Sequence, residues 1–216
     1  MLTPAEELML TPGTAWHGTA IGWPADIDPF VTKLPVVSER FCGIAYSQNG
    51  VRILSYTAYF PTSGQDDKFM EVLALLSADI NQHLTDNSAV FIGADTNQSQ
   101  KSTKRRTEAV EQFKTEFSFR SILLSGEPTF HHNNQTSVSQ IDTILSFIPE
   151  TLGIELNFSE HLCKLDFSAN LSAHDVIIGK MKIPPNLEKS EEKDYSATYQ
   201  PFIVNKPKWE ESGVKA

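Results

Sequence analysis

The sequence predicts a mixed α/β (α+β) domain, on three observations. Short apolar runs bounded by turn residues recur along most of the chain. Two longer stretches place apolar residues at spacings of three and four. Strands dominate with the two helices set among them, which implies a layered sandwich with sheet and helix packed face to face.

The elements follow in order. Residues 1–14 are a polar–apolar lead-in interrupted by Pro4 and Pro12. Residues 19–23, 41–46 and 51–59 read as strands, and the last two are joined by Ser47-Gln48-Asn49-Gly50. Asn-Gly between apolar runs is a hairpin signal, because both residues accept the left-handed backbone of a tight turn. Pro61, Ser63 and Gly64 then break the chain.

Residues 66–84 predict an amphipathic helix whose inner face is Phe69, Val72, Leu73, Leu76, Ile80 and Leu84. Residues 89–93 are a short apolar run, as expected of a buried strand. A second helix is expected over 103–117, with Val110, Phe113 and Phe117 inward. Residues 141–147 and 176–183 read as further strands. After Pro184-Pro185 the chain turns rich in Glu, Lys and Ser, so 1–183 is expected to form the domain and 184–216 a polar linker and tail.

Composition narrows the function classes. Of 216 residues, 40% are hydrophobic and 21% charged, enough apolar material for a sizeable core. A formal net charge of -9 argues against coating nucleic acid by bulk charge. Two cysteines, Cys42 and Cys163, make no disulfide framework and are expected to be buried thiols. The sequence shows no basic leader followed by an apolar run and no membrane-length apolar stretch. An intracellular protein, nuclear or cytoplasmic, with no membrane partner is the expectation.

Four short segments carry candidate chemistry. Asp95-Thr96-Asn97 follows the run 89–93. In extended chain, positions i and i+2 point the same way, so a carboxylate and an amide would emerge together. The acid could take a proton from water and the amide could hold that water or a phosphate oxygen. An Asx turn capping the next loop is the alternative. Ser139-Gln140-Ile141-Asp142 and Ser172-Ala173-His174-Asp175 each lead into a strand. Asp142 and His174 could pair, the carboxylate fixing the imidazole tautomer and favouring its charged form. Tyr59-Phe60-Pro61 places a Tyr at a strand end, where a core role is the alternative. The basic residues of 101–106, Lys101 and Arg105 among them, could meet a phosphate backbone or simply begin a solvated helix.

In this order the four segments resemble the endonuclease/exonuclease/phosphatase, or DNase-I-like, superfamily. That family carries Tyr-x-Pro, Gly-Asp-x-Asn, Ser-x-Ile-Asp and Ser-Asp-His elements. Their counterparts here are Tyr59 with Pro61, Asp95 with Asn97, Ser139 with Asp142, and Ser172 with His174. Pro128-Thr129-Phe130, Trp16 to Ile21 and Lys206 to Trp209 are similar to segments of endonucleases encoded by non-LTR retrotransposons. The resemblance implies a four-layer β-sandwich, here without its first strands, and catalytic roles for Tyr59, Asp95, Asn97, Asp142 and His174. It implies substrate contacts from Thr129, Ser139, Ser172, Lys101 and Arg105. It implies Mg²⁺ or Mn²⁺ at Asp95, and DNA or RNA as partner, with a reverse transcriptase following in a parent protein.

The sequence departs from that pattern twice. No strand ending in the family's metal-binding Gln-Glu is evident, and Ala173 stands where the family has Asp. Both departures remove carboxylates from a hard-cation site. The expected function is therefore metal-dependent phosphodiester hydrolysis by a DNA-nicking domain, weakened by those losses. The alternatives are a catalytically inactive transposon remnant and a phosphatase of the same superfamily.

Overall fold

A computed structural model describes residues 2–4, 19–98, 102–121, 128–131, 138–157, 162–163, 174, 176–177 and 180–183. The strands are β1 (Leu2–Pro4), β2 (Ala20–Gly22), β3 (Val31–Lys33), β4 (Phe41–Gln48), β5 (Val51–Tyr59), β6 (Ser88–Asp95), β7 (Arg120–Ser121), β8 (Phe130–His131), β9 (Val138–Ser139), β10 (Asp142–Phe147), β11 (Glu155–Asn157), β12 (Leu162–Cys163), β13 (Val176–Ile177) and β14 (Lys180–Lys182). The helices are α1 (Asp66–His83) and α2 (Lys104–Glu116).

Six strands form one mixed sheet in the order β3-β4-β5-β6-β10-β7. Asn49 and Gly50 take positive φ values of 57 and 76 degrees and turn β4 back onto β5. The β5–β6 pair is parallel and the other pairs are antiparallel. A parallel neighbour needs a crossover, and α1 supplies it. This is the α/β class that the sequence predicts.

Strand alternation divides the core. Phe69, Leu76 and Ile80 of α1 and Phe113 of α2 cover Leu54, Ala58, Val90 and Ile92 on one face of the sheet. Each fully buried apolar side chain there stabilises by about 1.5–3 kcal/mol. On the opposite face, Ile21 and Trp23 pack on Cys42 and Ile44, while Met181 and Ile183 pack on a cluster built around Tyr46 and Ile53. Cys42 is thus a buried thiol, and Cys163 has no described side chain. Among the described residues no helix is long and apolar enough to cross a membrane.

Several short elements differ from the sequence reading. The lead-in contributes a strand, since Leu2–Pro4 pairs with Ala20–Gly22. Three residues ending in a proline, which has no N–H to donate, carry no readable periodicity. The expected strand over 176–183 is two pieces: β13 pairs with β12, and β14 pairs with β11. The ribbons β8–β9, β11–β14 and β12–β13 stand outside the main sheet. The tail 184–216 lies outside the described residues.

Two buried polar nodes brace the helical face. Tyr56 on β5 donates to Asp79 Oδ2 on α1 at 2.8 Å. Burial, then the bond to Asp79, pushes the Tyr56 hydroxyl well above its ordinary titration range. The second node is Arg106, at 1% exposure. Its Nε donates to Asp66 Oδ1 at 2.6 Å, and its Nη1 and Nη2 donate to the carbonyls of Pro61 and Thr62 at 3.0 and 2.7 Å. The Thr103 hydroxyl, then Arg106, holds the Asp66 carboxyl below the usual carboxylate range.

Gly43 on β4 lies under the Tyr56 ring. A Cβ there would stand 2.6 Å from Tyr56 Cε1 and 3.0 Å from Leu34 Cδ1. The ring is tethered through Asp79 and has no easy retreat. Gly43→Ala should therefore lower the urea midpoint by the equivalent of about 1–3 kcal/mol, the usual cost of overpacking. An unchanged midpoint would contradict the close approach.

Candidate active site

Three sheet residues define the site. Tyr59 ends β5 and Asp95 ends β6, and the two are register partners in the parallel pair. Asp142 begins β10 and is the register partner of Asp95 in the antiparallel pair. Partners in register project to the same face. Tyr59, Asp95 and Asp142 therefore stand in one row across three adjacent strands. Asp95 and Asp142 are both buried.

His174 joins the row from a distant part of the chain. Its Nδ1 lies 2.8 Å from Asp142 Oδ2, and the ring is buried. A neutral or charged imidazole that carries a proton on Nδ1 donates it to this carboxylate. His174 also forms an isolated antiparallel bridge with Phe130, whose ring centroid is 4.7 Å from the imidazole.

Thr129 explains why Asp142 stands where it does. Its side chain is 0% exposed, and Oγ1 accepts from the backbone N–H of Ile141 at 3.1 Å and of Asp142 at 3.0 Å. The Thr129 N–H donates to the Ser139 carbonyl at 2.9 Å. Thr129 thus grips the start of β10, while Phe130, its neighbour, meets His174. Ser139 lies on β9 and is half-buried.

Asn97 differs from its sequence reading. The strand ends at Asp95, and Asn97 has φ 46 degrees, so strand alternation does not relate the two side chains. Asp95 Oδ1 accepts from the Asn97 N–H at 3.0 Å, which is the Asx turn. Asn97 Nδ2 donates to the Phe60 carbonyl at 2.7 Å, tying the loop after β6 to the loop after β5.

The basic run before and within α2 is also corrected. Arg106 neither meets solvent nor remains available to a ligand, because its guanidinium is buried on three protein acceptors. Arg105 is exposed but pairs with Asp67 at 2.7 Å. Lys101, Ser172 and Ala173 lie outside the described residues. Arg106 was hidden in the sequence among other basic residues; one apolar neighbour at helical spacing, Ala109, was the signal that its face turns inward.

Asp95, Asp142 and His174 form a group whose ligand atoms lie within 4.8 Å of one another. Two buried carboxylates this close need compensating positive charge. Hard divalent cations take carboxylate oxygens, commonly one or two together with substrate phosphate. Asp95 and Asp142 fit that demand. The bond to Asp142 engages His174 Nδ1 and orients the ring, the arrangement also met where the other ring nitrogen ligates a metal.

The grip of Thr129 is testable. Thr129→Val keeps the shape and leaves two backbone N–H groups without their acceptor, at roughly 1–3 kcal/mol for each buried donor left unsatisfied. The variant should unfold at clearly lower urea, and Thr129→Ser should recover most of the loss. Equal stability of the Val variant and the parent would contradict this role.

No family model and no curated protein matches the sequence. Solved structures do match. The endonuclease domain of TRAS1, a telomere-specific non-LTR retrotransposon, superimposes with a TM-score of 0.51 at 16% identity, covering 79% of this chain and 73% of that one. An endonuclease/exonuclease/phosphatase from Bacteroides vulgatus gives a TM-score of 0.50 at 16% identity, covering 69% and 57%. At such identities the likeness is one of fold. The chain therefore resembles the endonuclease/exonuclease/phosphatase superfamily in its architecture as well as in its motifs.

Proposed function

We propose that this chain hydrolyses a phosphodiester of DNA, as a nicking endonuclease domain of retrotransposon type. The observation that carries this reading is the row of Tyr59, Asp95 and Asp142 with His174 closed onto Asp142. An acid, an oriented imidazole and a phenol on one face are the groups that phosphoryl transfer to water uses.

In this reading Asp95 accepts a proton from the attacking water. The water oxygen bonds to phosphorus as the bond from phosphorus to the leaving sugar oxygen breaks, and that oxygen takes a proton from solvent. Asp142 holds His174 with Nδ1–H inward, so a protonated ring presents Nε2–H to the charge that develops on phosphate. Tyr59 donates to a phosphate oxygen. Asn97, with one amide hydrogen on Phe60, keeps its other hydrogen and its oxygen for the water. A bound divalent cation, Mg²⁺ or Mn²⁺, held by Asp95 and Asp142, would supply Lewis-acid stabilisation. Ser139 is a proposed contact to the strand, as are Ser172 and Lys101, which lie outside the described residues.

A second reading rests on Ala173, which replaces the Asp of the family motif. A site short of one carboxylate would bind a phosphodiester and turn it over poorly. Supercoiled plasmid distinguishes the two. The first reading expects relaxed circles in Mg²⁺, none in EDTA, and a rate at least about 100-fold lower for Asp95→Asn, the lower range for loss of a general base. Absence of nicking in both Mg²⁺ and Mn²⁺ would favour the second reading. Nicking by Asp95→Asn at the parent rate would overturn the assignment of Asp95.

A further inference from the structure

The row has a fourth member, on the strand beyond Tyr59. Arg40 immediately precedes β4, where Phe41 is the register partner of Ala58. The next step along the same register sets Arg40 opposite Tyr59, and the Tyr59 N–H donates to the Arg40 carbonyl at 2.8 Å. Phe41 and Ala45 face the helices, whereas Cys42 and Ile44 face away. Alternation therefore puts Arg40 on the face that carries Asp95. Its guanidinium carbon lies 5.3 Å from the centre of the Tyr59 ring. Arg40, Tyr59, Asp95 and Asp142 thus occupy neighbouring strand ends on one face.

At the end of the sheet that carries Asp95, charge balance points to this residue. On α2, Lys104 pairs with Glu108 at 3.5 Å, Arg105 with Asp67 at 2.7 Å and Arg106 with Asp66 at 2.6 Å. Each cation of that helical turn is matched to an acid. Among the described residues Arg40 is paired only with Glu39, at 4.0 Å, the Arg40 side chain being 10% exposed and that of Glu39 50%. At that distance the pair makes no direct hydrogen bond, so the guanidinium keeps donors for a phosphate. In a chain of net charge -9, a cation set beside two acids is the local feature that would draw a polyanion to this end of the sheet.

We infer that Arg40 binds a second phosphate of the substrate, next along the strand from the one at Asp95, and so fits the site to a polynucleotide rather than a small phosphoester. The inference rests on the phosphodiester reading and extends it. Strands lie about 4.8 Å apart, so Arg40 and Asp95 are separated by roughly 10 Å of backbone, a gap that the long Arg side chain partly closes. A duplex presents a phosphate on each strand about every 3.4 Å of its axis, which brings a neighbouring phosphate within reach. A monoester occupying Asp95 and His174 would leave the guanidinium with nothing to bind. Held 5.3 Å from the centre of the Tyr59 ring, the guanidinium is positioned before the substrate arrives.

The test is the salt dependence of binding. A short fluorescein-labelled DNA duplex is titrated with the parent protein, Arg40→Gln and Arg40→Lys, with Ca²⁺ in place of Mg²⁺, and anisotropy is read across a range of NaCl. The plot of log affinity against log salt should lose about one unit of slope in Arg40→Gln. Arg40→Lys should keep the slope, because it keeps the charge. A residue that merely props the Tyr59 ring would leave the slope of the Gln variant unchanged, and that result would overturn the inference. Plasmid nicking measured in parallel separates the two levels. Nicking that needs Asp95, with a slope indifferent to Arg40, sinks the inference and leaves hydrolysis standing. A slope that depends on Arg40 without any nicking upholds the inference and removes hydrolysis. No binding at any salt overturns both.

Discussion

Backbone hydrogen bonds hold β5, β6 and β10 in a register that sets Tyr59, Asp95 and Asp142 side by side. Everything proposed for the site depends on that alignment. Side chains on a strand alternate between faces, so a slip of one residue at either pairing would send one of these groups into the helical core. The apolar alternation of the same strands resists the slip. Leu54, Val90, Ile92 and Leu145 must all remain on the face that α1 and α2 cover. The energy that packs the core thus also fixes the chemistry at its rim.

Around the row, a few polar contacts carry the alignment into the loops. Asn97 holds the Phe60 carbonyl, Arg106 holds those of Pro61 and Thr62, and Thr129 holds the start of β10. Burying a guanidinium or a hydroxyl is unfavourable unless its hydrogen bonds are met. At Arg106 an acid, two carbonyls and the Phe69 ring, 4.6 Å away, meet that requirement. These residues brace the site from behind. Tyr59, Asp95 and Asp142 stay on the opposite face of the sheet from the helices.

Elements of eight residues or more were legible in the sequence, because their periodicity has room to repeat. Both helices and β4, β5 and β6 occur within a few residues of their expected bounds. Of the two- and three-residue strands, β2 lies in the expected run 19–23 and β13 and β14 in the run 176–183; the others were not legible, since a pair of residues has no period. The candidate site divides in the same way. Tyr59, Asp95 and Asp142 could be placed at strand ends from the apolar runs beside them. The left-handed turn at Asn97 could not, because Asn is permitted there without being required. The buried state of Arg106 and the position of Arg40 follow from tertiary contacts and strand register, neither of which a lone arginine reveals.

The central claim is that the acids of the row work as one unit, and a double-mutant cycle on Asp95 and Asp142 tests it most directly. Plasmid-nicking rates would be measured for the parent, Asp95→Asn, Asp142→Asn and the double variant under one set of conditions. Groups that act together lose most of their effect when either is removed. The account predicts a double variant scarcely slower than the slower single variant. Rate losses that multiply would show two independent contributions and would contradict it.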